Sequence, residues 1–114
     1  VKRLDPGPRF CRAVVYNKVA YLAGLTADDV SVDVTAQTKD VLAKIDKYLA
    51  MAGTSKSKLL TANIWLRDIG DFELMNKAWD AWIDKANMPV RATVEARLAG
   101  DKIRVEIQVT APAE

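Results

Sequence analysis

The chain has 114 residues, half of them apolar, with 17 basic against 15 acidic side chains, one cysteine and no histidine. That length fits one compact domain, 1–114, with a real core, and a net charge of +2 gives no strong electrostatic case for nucleic acid or a membrane surface. Without histidine, Ser-His-Asp and Cys-His catalysis are excluded, and a lone cysteine allows neither an intrachain disulfide nor a cysteine zinc cluster.

Pro6-Gly7-Pro8 reads as a turn or irregular lead-in, with room for a short strand at Lys2 to Leu4. The N-terminal stretch lacks the apolar centre of a secretion signal, and no apolar run nears the length of a membrane span. The default expectation is therefore a cytoplasmic protein with Cys11 reduced and partly buried. Two short β-prone runs follow, Cys11 to Tyr16 and Val19 to Ala23. Asn17-Lys18 between them suits a tight hairpin, because Asn tolerates positive φ. Gly24 ends the second run.

Asp28 to Asp33 supply N-caps for a helix over Val34 to Ala52, with Gly53 at C′. Val34, Val41, Leu42, Ile45, Leu49 and Ala52 fall on one side of it. Leu59 to Leu66 reads as a strand, with Leu60, Ala62, Ile64 and Leu66 alternating with Leu59, Thr61, Asn63 and Trp65. A second helix, capped near Asp68 or Asp71, carries Phe72, Met75, Trp79, Trp82 and Ile83 as a core stripe. Asn87-Met88-Pro89 stops it. Asp80 and Asp84 read as solubility charges on its outer face.

Two strands close the chain. In the run from Pro89 to Arg97, Val90, Ala92, Val94 and Ala96 alternate with Arg91, Thr93, Glu95 and Arg97. In the other, Ile103, Val105, Ile107 and Val109 alternate with Arg104, Glu106 and Gln108. With Ala99-Gly100-Asp101 as their turn, the two are expected side by side, building one sheet face that carries guanidinium and carboxylate groups. The element order predicts an α+β fold, a mixed sheet with two helices on one face. Yet the first hairpin is apolar on both sides, and Leu59 and Trp65 lie off the main apolar row. The second sheet face is therefore expected to meet another subunit.

Arg91 stands at a strand entrance, where a planar and permanently charged group grips a carboxylate bidentately or forms a plain salt bridge. Glu95 and Glu106 are the carboxylate candidates for orienting water or acting as base, and periodicity does not choose between them. No Gly-rich phosphate loop and no transition-metal ligand set is present, while a carboxylate-only magnesium site stays open.

The chain resembles the Rid family, the reactive intermediate deaminases, also called YjgF-like proteins. The resemblance runs through Tyr21-Leu22-Ala23-Gly24-Leu25, Gln37-Thr38 to Ala52-Gly53, and Ile64-Trp65-Leu66-Arg67-Asp68-Ile69-Gly70-Asp71-Phe72. It continues through Met75-Asn76, Pro89-Val90-Arg91-Ala92-Thr93-Val94-Glu95 and Val105-Glu106-Ile107. It implies a chorismate-mutase-like fold and a homotrimer with sheets inward and active sites between subunits. It also implies cofactor-free hydrolysis of enamines and imines, such as 2-aminoacrylate and 2-iminopropanoate, to 2-keto acids and ammonia. By the same resemblance, Arg91 matches the arginine that holds the substrate carboxylate, and Glu106 the glutamate that positions the water. Gly24 matches a pocket-lining glycine, and Asn76 a polar residue near the site. Thr93 stands where the best-known deaminases carry cysteine, Phe10 where they carry tyrosine, and Ala23 where serine is common. The competing readings are a non-catalytic ligand-binding or partner-modulating protein and an endoribonuclease, an activity attributed to some relatives.

Overall fold

A computed structural model describes all residues from Val1 to Glu114. Strands β1 (Lys2–Pro6), β2 (Cys11–Tyr16) and β3 (Val19–Leu22) form an antiparallel meander. Asn17 and Lys18 turn the second hairpin with φ of 55° and 64°, the left-handed pair that matches the twist of the flanking strands. Helix α1 (Val34–Met51) starts where Asp33 accepts from the Ala36 amide at 2.9 Å, as an N-cap should. It ends at Ala52, and Gly53 takes φ 80° beyond it, a conformation that glycine adopts without Cβ strain.

Strand β4 (Thr61–Leu66), helix α2 (Phe72–Trp82), strand β5 (Val90–Glu95) and strand β6 (Val105–Pro112) complete the chain. The six strands lie in the order β1-β2-β3-β6-β4-β5. β6 runs antiparallel to both β3 and β4, whereas β5 is parallel to β4. The expected hairpin of the last two strands is therefore absent, because β4 lies between them. Parallel neighbours need a long crossover, and α2 provides it between β4 and β5.

Both helices cover the same sheet face, and α1 packs on β3, β6 and α2. Beneath them lie Ala13, Ala20, Leu22, Ala62, Ile64, Leu66, Val105, Ile107 and Val109, all buried. The molecule is 19 Å deep along its thinnest axis, one sheet and one helix layer. No helix is long and apolar enough to cross a membrane.

Two boundaries differ from the sequence reading. A 3₁₀ turn at Lys56–Lys58 delays β4 to Thr61, so Leu59 is buried and Leu60 is 45% exposed. Leu59 therefore belongs to the core and not to the open face. α2 stops at Trp82, well before Asn87, and Ile83 is extended. Asp84 there accepts from the Ala86 amide and the Asn87 side chain, both at 3.0 Å. Such side-chain bonds offer the backbone an alternative to helix.

The register fixes the two faces of β5. Arg91 lies beside Ala62, Thr93 beside Ile64 and Glu95 beside Leu66, so these three face the helix layer. Val90 and Val94 face the open side, 71% and 50% exposed. The apolar row of this strand is thus the uncovered one.

Candidate functional site

Arg91 is the second residue of β5, just past Pro89. Its side chain turns toward α2, with the guanidinium carbon 5.2 Å from the Trp79 ring centroid and 5.8 Å from that of Phe72. Stacking on aromatic faces suits a planar cation. Burial pulls the Arg91 pKa below its ordinary value, and the nearby Asp80 charge opposes that pull. Arg91 forms no ion pair, since the sole ion pair in the chain joins Lys44 to Asp28 at 2.8 Å. A half-buried cation without a carboxylate partner is disfavoured unless something anionic completes it.

Around Arg91 runs a cleft of about 350 Å³ lined by Glu73, Asn76, Trp79, Asp80, Met88 and Pro89. α2 contributes Glu73, Asn76 and Asp80 at successive turns. The buried Asn76 Oδ1 has no hydrogen-bond partner, and neither does the buried hydroxyl of Thr93, the next helix-facing residue of β5. Buried polar atoms are rarely left so. Asp80, expected as a solubility charge, is instead a wall of this cleft.

Glu106 lies on the other side of the sheet. It pairs with Trp65, between the buried Val105 and Ile107, and faces the open side. Beside it, Leu25 exchanges two backbone hydrogen bonds with Ile107, of 2.9 and 3.1 Å. This bridge lays Gly24 against the glutamate. A Cβ at Gly24 would collide with Glu106 Oε2 and lie 3.1 Å from its carboxyl carbon. Any larger residue there would push the carboxylate out of its present seat. The carboxylate itself makes no hydrogen bond or ion pair within the chain.

Phe10 sits on the turn between β1 and β2, 53% exposed, with the Arg12 guanidinium 4.7 Å above its ring. β2 is four strand positions from β5, roughly 19 Å at the usual interstrand spacing. The predicted site residues thus fall into separate places: Arg91, Thr93 and Asn76 beside α2, Glu106 with Gly24 on the open face, and Phe10 at the far margin. The expected shared face for Arg91 and Glu106 does not exist within one chain, because the register points them to opposite sides. No group of three or more His, Cys, Asp or Glu side chains is placed to hold a metal ion.

The family model described as endoribonuclease L-PSP matches residues 1–113. A RutC family protein of Haemophilus ducreyi is 45% identical over 111 residues, covering 97% of this chain and 95% of that protein. This chain belongs to the YjgF/Rid family. Other relatives agree: the RutC family protein YoaB of Escherichia coli is 40% identical, with 97% of this chain and 96% of that protein aligned. Among solved structures, a YjgF family member from Neisseria meningitidis is 43% identical and superposes with a TM-score of 0.94, covering 99% of this chain and 94% of that one. A member of the Rid protein family from Yersinia pestis is 28% identical, with a TM-score of 0.88 over 94% of this chain and 90% of that one.

Sequence reasoning missed Trp79 and Asp80 as cleft residues and named Gln37 only within the family resemblance, without a role. The signal for Gln37 was present: it is a polar residue on the stripe shared by Val34, Val41, Ile45 and Tyr48, all buried.

Proposed function

We propose that this Rid-family chain, acting as one domain, is an enamine/imine deaminase. It hydrolyses 2-imino acids of the 2-aminoacrylate/2-iminopropanoate type to 2-keto acids and ammonia, as a homotrimer with its sheets inward. The observation that carries this reading is Arg91, a half-buried guanidinium that makes no ion pair, set in a cleft beside the unpartnered Asn76 Oδ1. A small 2-imino acid supplies the missing anion, held by two parallel hydrogen bonds. Thr93 and Asn76 offer further polar contacts to it.

Glu106 is the group that activates water. Because it and Arg91 face opposite sides of one sheet, a second copy presents its Glu106, with Gly24, to the first copy's Arg91, and Phe10 arrives from a neighbour in the same way. As water attacks the imine carbon, Glu106 takes its proton and passes it to the imine nitrogen, giving a carbinolamine and a free carboxylate. The carboxylate then takes the hydroxyl proton and delivers it to the nitrogen as the C–N bond breaks, releasing ammonia and the keto acid. Holding the carbon beside an oriented water supplies most of the acceleration needed.

The test generates imines in situ with an amino-acid oxidase and follows their loss across a panel of side chains. The wild-type protein should shorten imine lifetimes. Arg91→Ala should lower kcat/KM about a hundredfold, the scale of a lost charge-assisted pair, with assembly size unchanged. Near-normal turnover by Arg91→Ala would sink the assignment, and keto-acid binding without any effect on imine lifetime would favour a ligand-binding role. RNA cleavage finds less support. Trp79 is buried, and the Trp82 indole donates to Asp46 at 2.9 Å, so neither is a free platform for base stacking.

A further inference from the structure

Gln37 is wholly buried in the first turns of α1. Its Nε2 donates to the carbonyls of Val32 and Lys102, both at 3.0 Å, with a longer contact of 3.4 Å to Val30. Its Oε1 accepts from the Arg104 amide at 2.9 Å. One side chain thus joins the segment that follows Gly24 to the segment that leads into Glu106. An apolar residue at position 37 would serve the α1 stripe equally well. The amide is there for its hydrogen bonds, because burying one without partners is unfavourable.

Three side chains on one face of α1 hold the segment from Gly24 to Asp33. They are Gln37, Asp40, which accepts from the Asp28 amide at 2.7 Å, and Lys44, which donates to the Thr26 carbonyl at 2.8 Å. Of these, Gln37 alone also grips Lys102 and Arg104, at the entrance to β6. The Glu106 carboxylate has no partner of its own in the chain, so the walls around it set its aim. Gly24 is the wall it touches.

We propose that Gln37 is a positioning residue for Glu106. Together with the Leu25–Ile107 backbone bridge, it holds the spacing between the Gly24 segment and β6 at which the carboxylate seats over the glycine. This inference rests on the reading of Glu106 as the water-activating group.

The experiment is a double-mutant cycle on imine hydrolysis, run well below the melting temperature of every variant. Gln37→Met keeps the side-chain length and removes the amide. Gln37→Glu keeps the acceptor facing Arg104, removes the donor to Val32 and Lys102, and replaces the first variant should that one not fold. Gln37→Met should lower kcat about tenfold and leave KM within about twofold, the pattern of a loss confined to the transition state. In a Glu106→Gln background the same change should have no further effect, since the two residues act as one unit. Equal losses in both backgrounds would overturn the proposal, as would a lower melting temperature with kcat unchanged. If the wild-type protein turns over no imine, the deaminase reading falls by itself. Positioning is then read from the NMR resonance of the Glu106 carboxyl carbon. A shift in Gln37→Met, with the Arg91 side-chain signal unmoved, supports the role, and an unmoved Glu106 signal overturns it.

Discussion

The 2-imino acid proposed for this cleft would compete with Asp80 for the same cation. The Asp80 charge favours the protonated guanidinium of Arg91 but repels any anion brought to it. Asp80→Asn should therefore tighten binding of a stable 2-keto acid, measured by calorimetry, by about two- to fivefold, the range of one exposed charge contact. Gly24 gives the opposite case, a position where one added methyl group is harmful. Gly24→Ala drives a Cβ into the Glu106 carboxylate. Because the end of a flexible side chain can swing aside, melting stability should change little, while the displaced carboxylate should reduce imine turnover far more than a change on the outer face of α2 does. At this scale the resemblance named candidates, and the structure shows where each of them lies. Periodicity alone left Glu95 and Glu106 equivalent, and only the register separates them. Glu95 faces the helix side and accepts from the Ile69 amide at 3.0 Å, whereas Glu106 has no such bond.

Elements were legible wherever local chemistry specifies them. Asp33 and Gly53 frame α1, and Asn17-Lys18 makes its hairpin, because caps and tight turns depend on a few adjacent residues. Strand neighbours were harder. Alternation says which residues share a face of a strand but not which strand lies beside it, so β5 and β6 looked adjacent. The helix between β4 and β5 allows these two to run parallel side by side but does not require it, since β3 and β4, joined through α1, are separated by β6. α1 also secures the sheet margin: the buried Tyr48 donates to Asp5 at 2.7 Å, where β1 takes φ 47°. That hydrogen bond, with burial and the Asp5 charge adding to it, raises the Tyr48 pKa above its ordinary 10.0. The neutral phenol is thus favoured in the folded state. The stabilisation is complete below pH 10.0 and disappears as pH rises through the raised value. Tyr48→Phe should lower stability near neutrality by about 1 kcal/mol, the usual net worth of such a bond. Above that range the two proteins should converge in urea titrations.

For the whole molecule, the separation of Arg91 from Glu106 makes a strong demand. If each site takes its arginine from one copy and its glutamate from the next, two dead variants can rescue each other. Arg91→Ala and Glu106→Gln should each be nearly inactive. Unfolded together in equal amounts and refolded, they should recover about a quarter of wild-type activity, as random mixing in a closed ring requires. No recovery in mixed assemblies, verified by mass spectrometry, would place both groups in one chain. The open face should carry the contact. Val94→Arg places a charge among Trp65, Val90 and Ala92 and should shift sedimentation toward single copies, with turnover lost in parallel.

The two margins of the sheet are built to opposite specifications. β1 presents Lys2, Arg3, Asp5 and Pro6, and charges with a proline discourage any further strand. β5 presents exposed Val90 and Val94 beside an unpaired backbone edge. A newly made copy is therefore adhesive on one rim and inert on the other. In the trimer proposed above, slow encounter between copies, as in dilute refolding, would leave the adhesive rim open to stray strands. Yield on refolding should then pass through an optimum in concentration, too little starving assembly and too much feeding precipitation.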